Sequence, residues 1–196
     1  MMKKIFLIFL SFISIAVSLY LYFGYSTNFY GLQVSNKIEE FSLVDQDGNE
    51  FSENNFKNKH SLVFFGYTKC YTVCPVSMRK LEALSKSINS PNLQIIYISI
   101  DPSRDDFESL KIYINKFGSQ FVALNGSKER VNRLGQKFRI QVSNVNFGDE
   151  FNPQYEHSGH IYFVDSNVEI KMIYPTSLQD IAKMTQDIQF LKQKIN

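Results

Sequence analysis

The stretch Leu62-Val63-Phe64-Phe65-Gly66-Tyr67-Thr68-Lys69-Cys70-Tyr71-Thr72-Val73-Cys74-Pro75 decides how this chain is read. The nearly continuous apolar run over residues 61–65 suits a strand buried on both faces of a central sheet. It opens directly into a loop that carries both cysteines of the chain, Cys70 and Cys74. Pro75 is favoured at the first position of a helix, so a helix is expected to begin there, with Met78, Leu81, Leu84 and Ile88 on one face. Strand, loop and helix in this order put two thiols at the carboxyl edge of a sheet, where sites of open α/β folds lie. With Cys74 at or beside the N-cap, both sulfurs sit near the positive end of the helix dipole, which favours thiolate.

Residues 93–100 form a second such run and residues 121–124 a shorter one. Upstream, Phe41-Ser42-Leu43-Val44 and Glu50-Phe51 flank the turn signal Asp45-Gln46-Asp47-Gly48 and predict a β-hairpin. Further helices are expected after Ser103-x-x-Asp106, read as a capping box, and over residues 128–138 with Ser127 as cap. A last one opens at Ser177-x-x-Asp180 and buries Leu178, Ile181, Met184, Ile188 and Leu191. Strands are expected at Ile161–Val164 and Glu169–Tyr174, after a polar, extended region over residues 141–155. The order hairpin, β, α, β, α, β, α, β, β, α predicts an α/β fold, a mixed central β-sheet flanked by helices.

The chain has 196 residues, enough for one core of ordinary size plus an appendage. Its net charge of +2 comes from scattered lysines and arginines, and the lack of a basic block argues against nucleic acid as a partner. The appendage is N-terminal. Lys3 and Lys4 precede an apolar stretch over residues 5–23 that is long enough to cross a bilayer, with Tyr20, Tyr22 and Tyr25 at its far end. No basic residue follows until Lys37, so the positive-inside rule places the bulk of the chain outside the membrane, in a bacterium the periplasm. Residues 1–24 are therefore expected to be an inner-membrane anchor, 25–36 a tether and 37–196 the folded domain. The competing reading is a secretory signal cleaved near Ala16-Val17-Ser18. No cysteine lies there to carry a lipid. Either way the domain is exported to a compartment where thiols oxidise readily, and a cysteine pair there calls for a chemical reason.

A disulfide, a redox dithiol and a metal site all fit the pair. A crosslink closing so short a loop stabilises little, and a structural zinc site would need further ligands of a kind the chain lacks. Two thiolates with one imidazole suit copper, since soft sulfur selects Cu(I) and imidazole is also a good copper ligand. Tyr155-Glu156-His157-Ser158-Gly159-His160 supplies two imidazoles. In an extended segment, residues three apart project to opposite faces, so one at most reaches the cysteines, and spacing does not say which. His60, beside Asn58 and Lys59, reads as a surface or hydrogen-bonded histidine. Asp101, Pro102, Arg104 and Asp105 read as structural or partner-binding rather than catalytic. Phe65, Tyr67 and Tyr71 are placed to shield a metal or form a docking face, although Phe65 fits plain core packing equally well.

Three motifs in order resemble the Sco/SenC family of thioredoxin-fold copper proteins, which act in assembling the binuclear copper centre of cytochrome c oxidase. They are Phe64-Phe65-Gly66-Tyr67-Thr68-x-Cys70-x-x-x-Cys74-Pro75, Ser99-Ile100-Asp101-Pro102-x-Arg104-Asp105, and His157-Ser158 ahead of Ile161-Tyr162-Phe163-Val164-Asp165. The resemblance implies a thioredoxin-like fold with an N-terminal hairpin and a copper site made by Cys70, Cys74 and His157, holding Cu(I), Cu(II) or both. It implies a metallochaperone rather than an enzyme, whose partners are the copper-accepting oxidase subunit and other periplasmic copper carriers or thiol reductants. The alternative within the same resemblance is a thiol-disulfide reductase using Cys70 and Cys74 as a redox-active pair. A peroxiredoxin-type peroxidase does not fit, because the proline and threonine expected ahead of its reactive cysteine are missing. The chain departs from the family pattern at Tyr71 and Thr72, where proline and aspartate are usual, and at Glu156, where aspartate is.

Overall fold

In the computed structural model, which describes residues 2–24, 28–140, 142–143 and 155–195, the apolar N-terminal stretch is helix α1 (Met2–Gly24). Its span Lys3–Tyr20 is long and apolar enough to cross a membrane. Strands β1 (Leu32–Lys37), β2 (Ser42–Asp45) and β3 (Glu50–Ser52) follow, then a 3₁₀ turn (Glu53–Phe56) and β4 (His60–Gly66). Helices and strands then alternate: α2 (Val73–Ile88), β5 (Leu93–Ser99), α3 (Phe107–Ile114), β6 (Phe121–Asn125) and α4 (Lys128–Lys137). The chain closes with the short strands β7 (Val142–Ser143) and β8 (Glu156–His157), the hairpin β9 (Ile161–Val164) and β10 (Glu169–Tyr174), and helix α5 (Ile181–Ile195).

The main sheet runs β1-β10-β9-β4-β5-β6-β2-β3. Strands β4, β5 and β6 are parallel, and β9 pairs antiparallel with the other side of β4. Every residue of β4 is buried, as its unbroken apolar run requires. Alternation then sends Leu62 and Phe64 to a core shared with α2, α3 and α5, while Val63 and Phe65 join the opposite core under α4 and the 3₁₀ turn. The mixed sheet covered on both faces, with a β2–β3 hairpin ahead of it, matches the fold expected from sequence.

Four expectations are corrected, the first being α5, which begins at Ile181 rather than Ser177, with the Asp180 carboxylate accepting from the Lys183 amide at 3.0 Å and Leu178 ahead of the helix. Of the segment 25–36 expected as a tether, Leu32–Asn36 belongs to edge strand β1, which pairs antiparallel with β10 (Leu32 with Ile173, Lys37 with Glu169). Helix α2 starts two residues before Pro75, with Thr72 as N-cap, and ends at Asn89 in a left-handed conformation (φ 42°). Ser103 is not the cap of α3. Asp106 is, accepting from the Ser109 amide at 2.7 Å, while the Ser103 hydroxyl donates to Asp101. Ser127 caps α4 as expected. Of residues 141–155, expected to be extended, only Val142, Ser143 and Tyr155 are among the described residues. Val142 and Ser143 pair antiparallel with His157 and Glu156 in a two-stranded ribbon apart from the main sheet.

Candidate metal centre

The carboxyl end of β4 delivers the loop over residues 67–72, and the loop's shape is set from beneath by a buried carboxylate. Asp105 accepts from the Thr68 amide at 3.1 Å, the Thr68 hydroxyl at 2.6 Å and the Ser99 hydroxyl at 2.7 Å. Burial raises its pKa, and the bonds from Thr68 and Ser99 act against that rise. The sequence marks Asp105 as structural or partner-binding, and these bonds give it a structural task. Asp101 meanwhile pairs with Arg104, whose guanidinium lies over the rings of Tyr67 and Tyr155 at 5.8 and 5.2 Å.

Cys70 lies in the loop and Cys74 in the first turn of α2; both are buried free thiols. Thr72 makes no side-chain cap, and hydrogen bonds from the amides of Thr72 and Cys74 help to hold the Cys70 pKa down. Beyond the sheet edge, β8 brings in His157, whose Nε2 lies 3.4 Å from Cys74 Sγ and 3.9 Å from Cys70 Sγ. Its Nδ1 is 3.4 Å from the Ser158 carbonyl oxygen. With Nε2 protonated the ring donates to the sulfurs; with Nδ1–H donating to that carbonyl, Nε2 offers its lone pair to a cation held between them. The rings of Phe64 and Tyr67 meet His157 edge to face at 6.1 and 5.8 Å and wall the site from water.

The three ligand atoms lie within 4.8 Å of one another, and all three residues are buried. Cys70 and Cys74 share one proton. The Cys70 pKa is lowered to about 3, chiefly because the Cys74 thiol donates to its sulfur; burial opposes this, and His157 and the two amides assist it. Cys74 is pushed well above the ordinary thiol value, first by donating that bond and then by burial. The site therefore presents one thiolate, one thiol that ionises when a cation displaces its proton, and one imidazole. Two soft sulfurs and a borderline nitrogen suit copper better than a hard oxygen-seeking ion.

His160 stays outside this group, half-buried with its ring tilted against Tyr162 at 6.2 Å. His60 is buried, not on the surface, stacked on Phe163 at 5.7 Å with its pKa lowered by burial. Tyr67 shields the site, its hydroxyl accepting from the Tyr155 amide at 3.0 Å, while Tyr71 is 70% exposed beside it. Phe65 faces the opposite core and takes no part. At the position where the family pattern has aspartate, the Thr72 hydroxyl lies 3.8 Å from Cys70 Sγ.

Two residues of the site escaped the reading of the sequence. A Cβ on Gly66 would stand 2.7 Å from Cys74 Sγ and 2.8 Å from Phe64 Cε1, so only glycine leaves room for that sulfur. A Cβ on Gly159 would collide with Val73 of the first turn of α2, and the Gly159 carbonyl accepts from Gln179 at 2.7 Å. Gly66 follows an apolar strand and precedes a polar loop, so in sequence it reads only as a strand end.

Comparison with known proteins agrees with this geometry. An SCO2-like protein of Rickettsia felis is 34% identical over 132 residues, covering 65% of this chain and 64% of the relative, so the aligned part is under two thirds of that protein. Copper-bound ScoI of Bradyrhizobium japonicum is 25% identical with a TM-score of 0.68, covering 79% of this chain and 97% of the other. Copper-bound yeast Sco1 is 26% identical with a TM-score of 0.67, covering 79% and 89%. The fold is thus thioredoxin-like. The sequence model of SCO1/SenC matches residues 31–193, a span that runs from the start of β1 into the last helix and takes in both cysteines and His157. By that match, the chain belongs to the SCO1/SenC family.

Proposed function

We propose that this protein is a membrane-anchored copper metallochaperone that binds one copper ion through Cys70, Cys74 and His157 and supports assembly of the binuclear copper centre of cytochrome c oxidase. The observation that carries the reading is the convergence of two sulfurs and one imidazole nitrogen within 4.8 Å in a buried pocket. Family membership and copper-bound relatives with the same fold support it. Three protein ligands would give copper a low-coordinate site, to which a cysteine or histidine of the acceptor could add to begin ligand exchange. Helix α1 supports an anchor over residues 1–24 in the bacterial inner membrane, with the domain in the periplasm and the acceptor subunit of the oxidase as partner.

The test is titration of the reduced protein, purified in detergent, with Cu(I) against a coloured chelator. His157→Ala is expected to weaken binding by about 10- to 100-fold or more, the scale on which even outer partners of metal sites act. His160→Ala binds like the parent. Unchanged stoichiometry, affinity and spectrum in His157→Ala would dismiss the copper-site assignment.

A second reading rests on the lowered Cys70 pKa, which equips the pair for thiol-disulfide exchange with an oxidised acceptor. In such a step the Cys70 thiolate attacks the acceptor disulfide, Cys74 resolves the mixed disulfide, and two electrons pass to the acceptor. Offering a pre-reduced, copper-free acceptor domain separates the two. A chaperone still delivers metal to it, whereas a reductase has nothing left to do.

A further inference from the structure

Asp187 of α5 is a buried carboxylate far from the cysteines, and the metal site makes no use of it. It accepts from the Tyr30 amide at 3.1 Å and the Gly31 amide at 2.9 Å, the segment that follows the membrane helix, and from the Tyr174 hydroxyl at 3.3 Å. Each neighbouring residue is fixed as well. Phe29 packs edge to face on Phe190 at 5.5 Å, Lys183 lies over the Tyr30 ring at 5.1 Å, and the Tyr30 hydroxyl accepts from the Asp180 amide at 3.3 Å. Gly31 is pressed so closely on the sheet that a Cβ there would lie 2.5 Å from the Tyr174 ring.

This docking shortens the leash. Five peptide steps join Gly24 to Phe29, the first residue held against the domain, and at about 3.5 Å each they reach roughly 17 Å. A domain of roughly 165 residues has a radius of gyration of about 15 Å. The leash is therefore comparable with the domain's own radius, and the domain cannot turn an arbitrary face to the membrane. A free segment over residues 25–36 would have allowed roughly 40 Å and free tumbling. The face at the docking point carries Phe190, 37% exposed, with Lys183, Gln186 and Gln189 on the outer side of α5. Aromatic and lysine side chains are the residues that suit a headgroup layer.

We propose that the outer face of α5, with Phe29 and Phe190, lies against the lipid headgroups of the bilayer that holds α1, and that Asp187 is the latch that imposes this orientation. The inference rests on α1 staying uncleaved in the membrane. Loss of the latch frees residues 29–31 and lengthens the leash from five peptide steps to eight, so the domain then samples other orientations.

The experiment places the full chain, in a Cys70→Ser, Cys74→Ser background, in nanodiscs of brominated phosphatidylcholine and phosphatidylglycerol. A bimane label is attached through Gln186→Cys on α5 or through Arg133→Cys on α4, which covers the opposite face of the sheet. Bromine quenching is expected at 186 and not at 133. It should fall to the level of 133 in Asp187→Ala and after insertion of about twelve Gly/Ser residues following Thr27, which add about 20 Å of reach. The insertion leaves the domain sequence untouched and carries the test if Asp187→Ala does not fold. Equal quenching at both positions in disc-bound protein, or quenching at 186 that survives the insertion, overturns the inference alone. A chain that does not co-elute with the discs overturns the anchoring and the inference with it.

Discussion

Gly66→Ala adds one methyl group to a residue that is not a ligand, and the structure says it should damage the metal site. The new Cβ would stand 2.7 Å from Cys74 Sγ, 2.8 Å from Phe64 Cε1 and 3.2 Å from Tyr97 Cε2. None of these neighbours yields easily. Cys74 is fully buried in the first turn of α2, and Phe64 is wedged between Tyr97 and His157, each 6.1 Å away between ring centroids. Relief to an ordinary contact needs a shift approaching 1 Å, shared between the sulfur and the ring. Metal sites tolerate errors of only about 0.2 Å in ligand distance. A loss of about 10- to 100-fold in Cu(I) affinity is expected, or roughly 1.4 to 2.8 kcal/mol. Overpacking should remove a further 1–3 kcal/mol, roughly, from folding stability. Chelator competition reads the first effect and urea denaturation of the copper-free protein the second. A variant with the parent's affinity, copper spectrum and unfolding midpoint would refute the claim that Gly66 makes room for the sulfur.

Asp105→Ala leaves the Thr68 amide and two hydroxyls without their buried acceptor, and a loss on the order of 3 kcal/mol is expected in urea unfolding, with weaker copper binding because the loop loses its anchor. Ser127→Ala removes the α4 cap, whose hydroxyl accepts from the Arg130 amide at 3.3 Å, and should cost about 1 kcal/mol with copper affinity unchanged. Because the Cys70 pKa is lowered to about 3, its thiolate persists as pH falls. Alkylation of the reduced, metal-free protein should then stay level from about pH 8 to about pH 5 and drop only towards that value, whereas a rate climbing tenfold per pH unit up to about 8 would contradict the shared-proton arrangement. Copper at about 100 times its dissociation constant should stabilise the fold by about 2.7 kcal/mol, and its chelation should reverse the shift in melting temperature.

Elements with strong local signals were readable in the sequence. Strands β9 and β10 have the expected bounds, and Ser127 announces α4, because a cap and an alternating apolar pattern act within a few residues. Strand β1 gave no such signal. It is an edge strand whose residues are exposed or half-exposed, and its partner β10 lies more than a hundred residues downstream. The start of α2 carries no side-chain cap, and Pro75 marks it only to within a turn, so local signals place it two residues late. The cysteine pair was plain as a site, but spacing left His157 and His160 equal; the family resemblance favoured His157, and in the structure the ribbon β7–β8 turns it to the sulfurs. The demand for glycine at Gly66 comes from Cys74 and Tyr97 as well as Phe64, and at Gly159 from Val73, neighbours that only the folded chain brings into contact.

The candidate site straddles two parts of the molecule held with very different strength. Cys70 and Cys74 hang from β4, which pairs along its whole length with β5 and over four residues with β9, all of them buried. Among the described residues, His157 hangs from a ribbon of two residue pairs. Amide protons of β4 should therefore exchange only on global unfolding, while those near His157 open locally and far more often. The imidazole is the ligand whose departure disturbs least. Were a metal bound here and handed on, the weakly held ribbon would let the histidine go first, leaving the two sulfurs as the last protein ligands.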